Sequence, residues 1–118
     1  MNISVALIEN LKANTSIVEV HSGTIPESAP IPAIAVFNVA FSNDRTLEGK
    51  KTKNVSNWRI TVVDTVYNLQ NTIDQILLLD NTSDDNFKVL FFELSLIEPK
   101  ALDEPHQRAF IDVRAYPR

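Results

Sequence analysis

Two histidines, His21 and His106, stand far apart in a chain without cysteine, so thiolate chemistry, disulfides and any Cys-based metal site are excluded at the outset. Around His106 the run LDEPHQ offers Asp103 and Glu104, a set that on paper could bind a metal or exchange protons. Loop neighbours of this kind converge on a substrate only if a cleft gathers them, and a solvated turn accounts for them without chemistry. LEGKKT lacks the G-x-x-x-x-G-K-S/T spacing that wraps a phosphate in backbone donors, and only Gly23 and Gly49 are available anywhere for such a loop. Asp80, Asp84 and Asp85 lack the glycine and distal glutamate of a calcium loop. The N-x-S/T matches at Asn2, Asn14, Asn54 and Asn81 read as chance in an Asn-rich chain. No catalytic centre, cofactor site or metal site is expected.

The remaining polar signal is a basic run. Arg45, Lys50, Lys51 and Lys53 fall within SNDRTLEGKKTKN alongside Asp44 and Glu48. Such a run is either a solvated loop or an arm that touches an acidic neighbour. Acidic groups suited to it are Asp80, Asp84 and Asp85, or Glu98, Asp103 and Glu104. Complementary charge of this kind fixes register more than it adds affinity.

The elements that must carry these groups follow from periodicity. Ile3, Leu7, Ile8 and Leu11 recur at helical spacing, with Asn2 or Ser4 as the cap, predicting a helix over 3–12. SIVEV is a strand, and the following HSGTIPESAPIP is too rich in Pro and Gly for regular structure. AIAVFNVAF, 33–41, is a second strand, followed by a hairpin arm or exposed loop over 42–54. WRITVVD alternates, with Trp58, Ile60 and Val62 on one side and Arg59, Thr61 and Val63 on the other. From Val66 the spacing Val66, Leu69, Ile73, Ile76, Leu77 becomes helical, with Asp64 or Thr65 near the cap and an end near Asp80. FKVLFFELSLIE and RAFIDVRAY complete the order α-β-β-β-α-β-β. The expected fold is a single α+β domain, 1–118, with a mostly antiparallel sheet of four or five strands and both helices on one face.

That arrangement leaves a surplus of apolar residues. Assigned by simple alternation, the face away from the helices holds Val36, Val63, Leu90, Phe92, Leu94, Phe110 and Tyr116. Either the sheet curls into a partial barrel and buries them, or they form a self-association surface, with Phe92 and Leu94 at its centre. A net charge of −4, from 15 acidic and 11 basic side chains, argues against a nonspecific nucleic-acid binder. MNISVALIEN carries Glu9 and no basic residue where a secretory signal would be positive, so the chain is expected to remain inside the cell that makes it.

Taken in order, the initial amphipathic helix, GTIPESAPIPAIAVFNV, the long LEGKK segment, NWRITVVDTVYNLQNTIDQI and the terminal RAFIDVRAYP resemble the tail terminator or tail-completion proteins of long-tailed bacteriophages. The chain departs from many relatives at Ala33, where they carry an aromatic residue. The resemblance implies a virion protein assembled in the host cytoplasm: a homohexameric ring that caps the tail tube, joins it to the head connector or a head-completion protein, and leaves a channel for transient passage of duplex DNA without specific binding. It implies no membrane association. Without the resemblance, a small intracellular adaptor or enzyme subunit that dimerises through its open sheet face fits the same residues.

Overall fold

A computed structural model describes residues 2–45, 51–100 and 104–118, and of residues 40–45 and 51–54 it describes the backbone. The elements are α1 (Ile3–Asn14), β1 (Glu19–Ser22), β2 (Ala33–Arg45), β3 (Lys51–Thr65), α2 (Leu69–Leu77), β4 (Phe87–Ile97) and β5 (His106–Pro117). Five strands form one sheet in the order β1-β2-β3-β5-β4. Among the described residues only β1 and β2 run parallel; every other strand pair is antiparallel. The expected α+β class, element order and mostly antiparallel sheet are all present.

Both helices pack on the same side. Ile34, Val62 and Ala109 lie in register across β2, β3 and β5, as do Trp58 and Val113 across β3 and β5. Cross-strand partners share a face, and these residues join Leu7 and Leu11 of α1 and Ile73 and Ile76 of α2 in a single buried cluster. Removing an Ile or Leu side chain of this kind from water stabilises a fold by about 1.5–3 kcal/mol. Polar contacts pin the helices in place. Asn2 Oδ1 accepts the Val5 N–H as the cap of α1, Asn10 Nδ2 donates to Asp84 at 2.8 Å, and Gln75 Oε1 accepts both the Ser16 N–H and its hydroxyl.

The second helix begins later than periodicity suggests. Strand β3 pairs with β5 as far as Thr65↔His106, so residues 66–68 are spent on a turn in which the Asn68 N–H reaches Thr65 O. Val66 and Tyr67 are exposed in that turn rather than on the helix. Asn68 takes the cap position, and Asp64 plays a different part: buried, it accepts the Thr72 hydroxyl at 2.6 Å and the Thr65 N–H at 2.7 Å. Its carboxylate thereby ties the end of β3 to the middle of α2.

Within 42–54 the described residues, 42–45 and 51–54, are paired strand, which makes them the arms of a hairpin rather than an exposed loop. β2 and β3 remain paired to Arg45↔Lys51, well past the point at Ser56 where β5 leaves β3. The molecule is correspondingly elongated, 55 × 26 × 23 Å.

Candidate functional site: the outer face and the free edge of the sheet

The face away from the helices differs from the one that alternation alone assigns. Register shifts between Phe87 and Val89, and again between Leu94 and Leu96, each insert an extra β4 residue against β5. Such bulges reverse which face the following residues occupy. Leu90, Phe92 and Leu94 therefore pair with Ala115, Val113 and Ile111 on the helix side. Leu90, Phe92 and Val36 belong to the core there, and Leu94 lies on the same side though open to solvent, which corrects the assignment of all four to the open face. The outer face holds Val89, Phe91, Glu93 and Leu96 of β4, Phe110, Asp112, Arg114 and Tyr116 of β5, and Arg59, Thr61 and Val63 of β3.

On that face charge and aromatic groups interlock. Arg59 Nε donates to Asp112 at 2.8 Å, and its guanidinium lies 5.7 Å from the centre of the Phe110 ring. The Asp112 hydrogen bond, aided by its charge and opposed by partial burial, holds Arg59 above its ordinary pKa. Phe91 and Tyr116 meet edge to face, their ring centres 5.8 Å apart. Further along, Ala33 and Ala35 are buried although they lie on the outer face. The Pro-rich segment before β2 borders this end, turning at Gly23, whose φ of +91° suits glycine and whose N–H reaches Val36 O. Between that segment and the end of the β4–β5 hairpin lies an open trough of about 890 Å³, floored by Phe37, Val63 and Phe110.

Glu104 and His106 share the rim of this trough, both exposed; Asp103 lies outside the described residues. Among the described residues no group of three or more His, Asp or Glu is placed to hold a metal ion. No helix among them is long and apolar enough to cross a membrane.

The edge of the sheet is more distinctive. β4 is an outermost strand of eleven residues, and over its second half every residue from Glu93 to Ile97 is exposed. Leu94 is 36 %, Leu96 51 % and Ile97 36 % open to solvent. The bulge before Leu96 distributes them over both faces, so the strand presents apolar side chains above and below its edge. Proteins usually blunt such an edge with Lys, Pro or a covering loop. Among the described residues a covering loop exists only over the first half: the Asn81 N–H reaches Leu90 O, the Leu90 N–H reaches Thr82 O, and the Phe92 N–H reaches Asp80 Oδ1.

The chain matches no protein-family model and no curated protein sequence. Arg45 and Lys51 face each other as backbone partners at the end of the described arm, and Lys53 lies opposite Asp44; Lys50 is outside the described residues. Asp84 is engaged inside the fold, accepting from Asn10, Asn86 N–H and Phe87 N–H, whereas Asp85 beside it is exposed. Asp80 borders the β4 edge at Phe92 and Leu94 lies on it, whereas Asp84 is turned into the fold and Glu104 lines the trough; the basic arm extends from β2 and β3, and the free side of β2 faces away from β4. Sequence reasoning missed Leu96 and Ile97 as surface and Asp80 as a cover for the edge. Neither is signalled by residue type, since a bulge and a side-chain-to-backbone contact both depend on the partner strand.

Proposed function

We propose that this chain is a structural subunit of a phage neck, a tail terminator or tail-completion protein that closes into a ring on the end of the tail tube and meets the head connector or a head-completion protein on its other side. The observation that carries the reading is the free β4 edge, with Leu94, Leu96 and Ile97 open to solvent. From Glu93 to Ile97 this uncovered edge carries neither Lys nor Pro and three exposed apolar side chains, a surface that favours association. The resemblance across the chain supplies the tail setting and the number six. In this reading the protein works without catalysis or cofactor.

A net acidic subunit suits a channel through which duplex DNA slides. The duplex carries about one negative charge per 1.7 Å of axis, so a lumen meant to grip it would be basic, whereas the chain carries −4. The test is electron microscopy of the purified full-length chain, alone and mixed with tail tubes. Six-fold rings seated on tube ends support the reading. Dimers that ignore the tubes at high concentration would contradict it and fit an adaptor or enzyme subunit instead.

A further inference from the structure

The loop at residues 80–82 occupies backbone groups of β4 at Leu90 and Phe92 and goes no further. Beyond Phe92 the outer edge from Glu93 to Ile97 has neither a neighbouring strand nor a covering loop among the described residues. On the other side of the sheet β1 pairs with β2 only over Ala33–Val36, so the outer edge of β2 from Phe37 to Arg45 is likewise without a neighbouring strand. Among the described residues one chain therefore offers open strand edges on both sides of its sheet, the longest being β2 from Phe37 to Arg45 on one side and β4 from Glu93 to Ile97 on the other, with the short outer edge of β1 and the β5 side of β3 from Lys51 to Val55 also without a neighbouring strand.

We propose that the Glu93–Ile97 edge of β4 pairs with the open β2 edge of the hairpin arm of a second copy of this chain. Charge selects this occupant. The open stretch carries Glu93 and no basic residue, with the Asp80 carboxylate beside it at Phe92 and Glu98 following it in a pair with Arg108, whereas the arm from 42 to 54 carries Arg45, Lys50, Lys51 and Lys53 against Asp44 and Glu48. Two β4 edges brought together would set acid against acid, and two arms base against base. An acidic edge against a basic arm is the attractive combination, and like-charge juxtaposition disfavours both symmetric alternatives.

Strand direction agrees with the same choice. β4 is antiparallel to β5, β5 to β3 and β3 to β2, so β4 runs opposite to β2. A neighbour that continues the sheet presents its β2 antiparallel to β4, which gives the better-aligned ladder hydrogen bonds. The contact joins two different surfaces and is heterologous, the type that closes rings when its rotation allows. The open stretch of β4 lies level with the part of β2 that β1 already covers: Leu94, Ile111, Ile60 and Val36 are in register. Reaching the arm therefore staggers adjacent sheets along the strands, and a closed sheet of tilted strands requires such a stagger. This pairing rests on the ring reading above and specifies the surfaces that make it.

The absence of native cysteine makes the test clean. Ser95→Cys marks the β4 edge and Ser42→Cys marks the arm; each full-length protein is treated with a short bis-maleimide alone, then in an equal mixture, and a chain carrying both changes is treated likewise. The expected result is crosslinked dimer in the mixture, none in either single variant, and a ladder from the double variant that stops at the ring. Dimer from Ser95→Cys alone would mean β4 against β4, dimer from Ser42→Cys alone would mean arm against arm, and either overturns the proposal. No crosslink from a preparation whose native mass is that of a ring overturns this pairing but leaves the ring standing. A chain that stays monomeric at high concentration overturns both.

Discussion

The Asp80 carboxylate accepts the backbone N–H of Phe92 at 2.8 Å, and this contact marks where the covered part of the β4 edge ends. A side chain from the turn that follows α2 thus takes the place that a neighbouring strand would otherwise fill. Asp80→Ala should cost about 1–2 kcal/mol, the range for one hydrogen bond to a charged acceptor discounted for exposure. It should also lengthen the open edge and make the protein more prone to unspecific association. Urea unfolding and light scattering of the variant at matched concentration check both effects.

Phe92 and Leu96 separate core from surface on one strand. Phe92→Glu should destabilise the fold by more than about 3 kcal/mol, because truncating a buried Phe alone costs that much and a buried carboxylate adds to it. Leu96→Glu should leave the circular dichroism spectrum and thermal midpoint nearly unchanged while abolishing assembly in sedimentation. If Leu96→Glu unfolds the protein, the β4 edge is structural rather than associative.

Asp64 and Thr72 make the buried polar link between β3 and α2. Thr72→Val keeps the volume and removes the donor, so the carboxylate loses a partner where water does not reach it. A loss of about 1–3 kcal/mol is expected, with an unchanged denaturant slope showing that the native and unfolded states are otherwise the same. A loss under a few tenths would show that the Thr65 N–H alone satisfies Asp64.

Asp84 gives the fold an acid sensitivity. Burial would raise its pKa, but hydrogen bonds from Asn10, Asn86 and Phe87, with the charge of Arg118, outweigh burial and hold the carboxyl below its ordinary value of 3.8. The unfolded chain then binds the proton more readily than the folded one. The stabilisation is complete above the ordinary value and is lost as pH falls through the lower folded value. Chemical denaturation from about pH 5 downward should show the wild-type stability falling more steeply than that of Asp84→Asn. Parallel curves would contradict this role.

Much of this architecture was legible from periodicity. Trp58, Ile60 and Val62 do face the helices while Arg59, Thr61 and Val63 face away, and Asn2 does cap α1. What alternation could not reveal was β4, since two bulges change its facing and are fixed only by pairing with β5. The start of α2 was misplaced because Val66 fits a helical stripe by type, yet the chain needs residues 66–68 to turn out of β3. The candidate surface was half legible: Leu94 is open to solvent, but on the helix side of the sheet rather than the face expected for it, Phe92 is buried, and the reach of the arm depends on β2 and β3 pairing through residues whose types leave hairpin arm and exposed loop equally open.

Native mass spectrometry of the full-length chain over a rising concentration series tests the ring most directly. A heterologous contact that closes produces one discrete assembly, here six chains, with intermediates sparse and nothing larger accumulating. A terminal dimer, or an open ladder of ever longer oligomers without a preferred size, would contradict a closed ring.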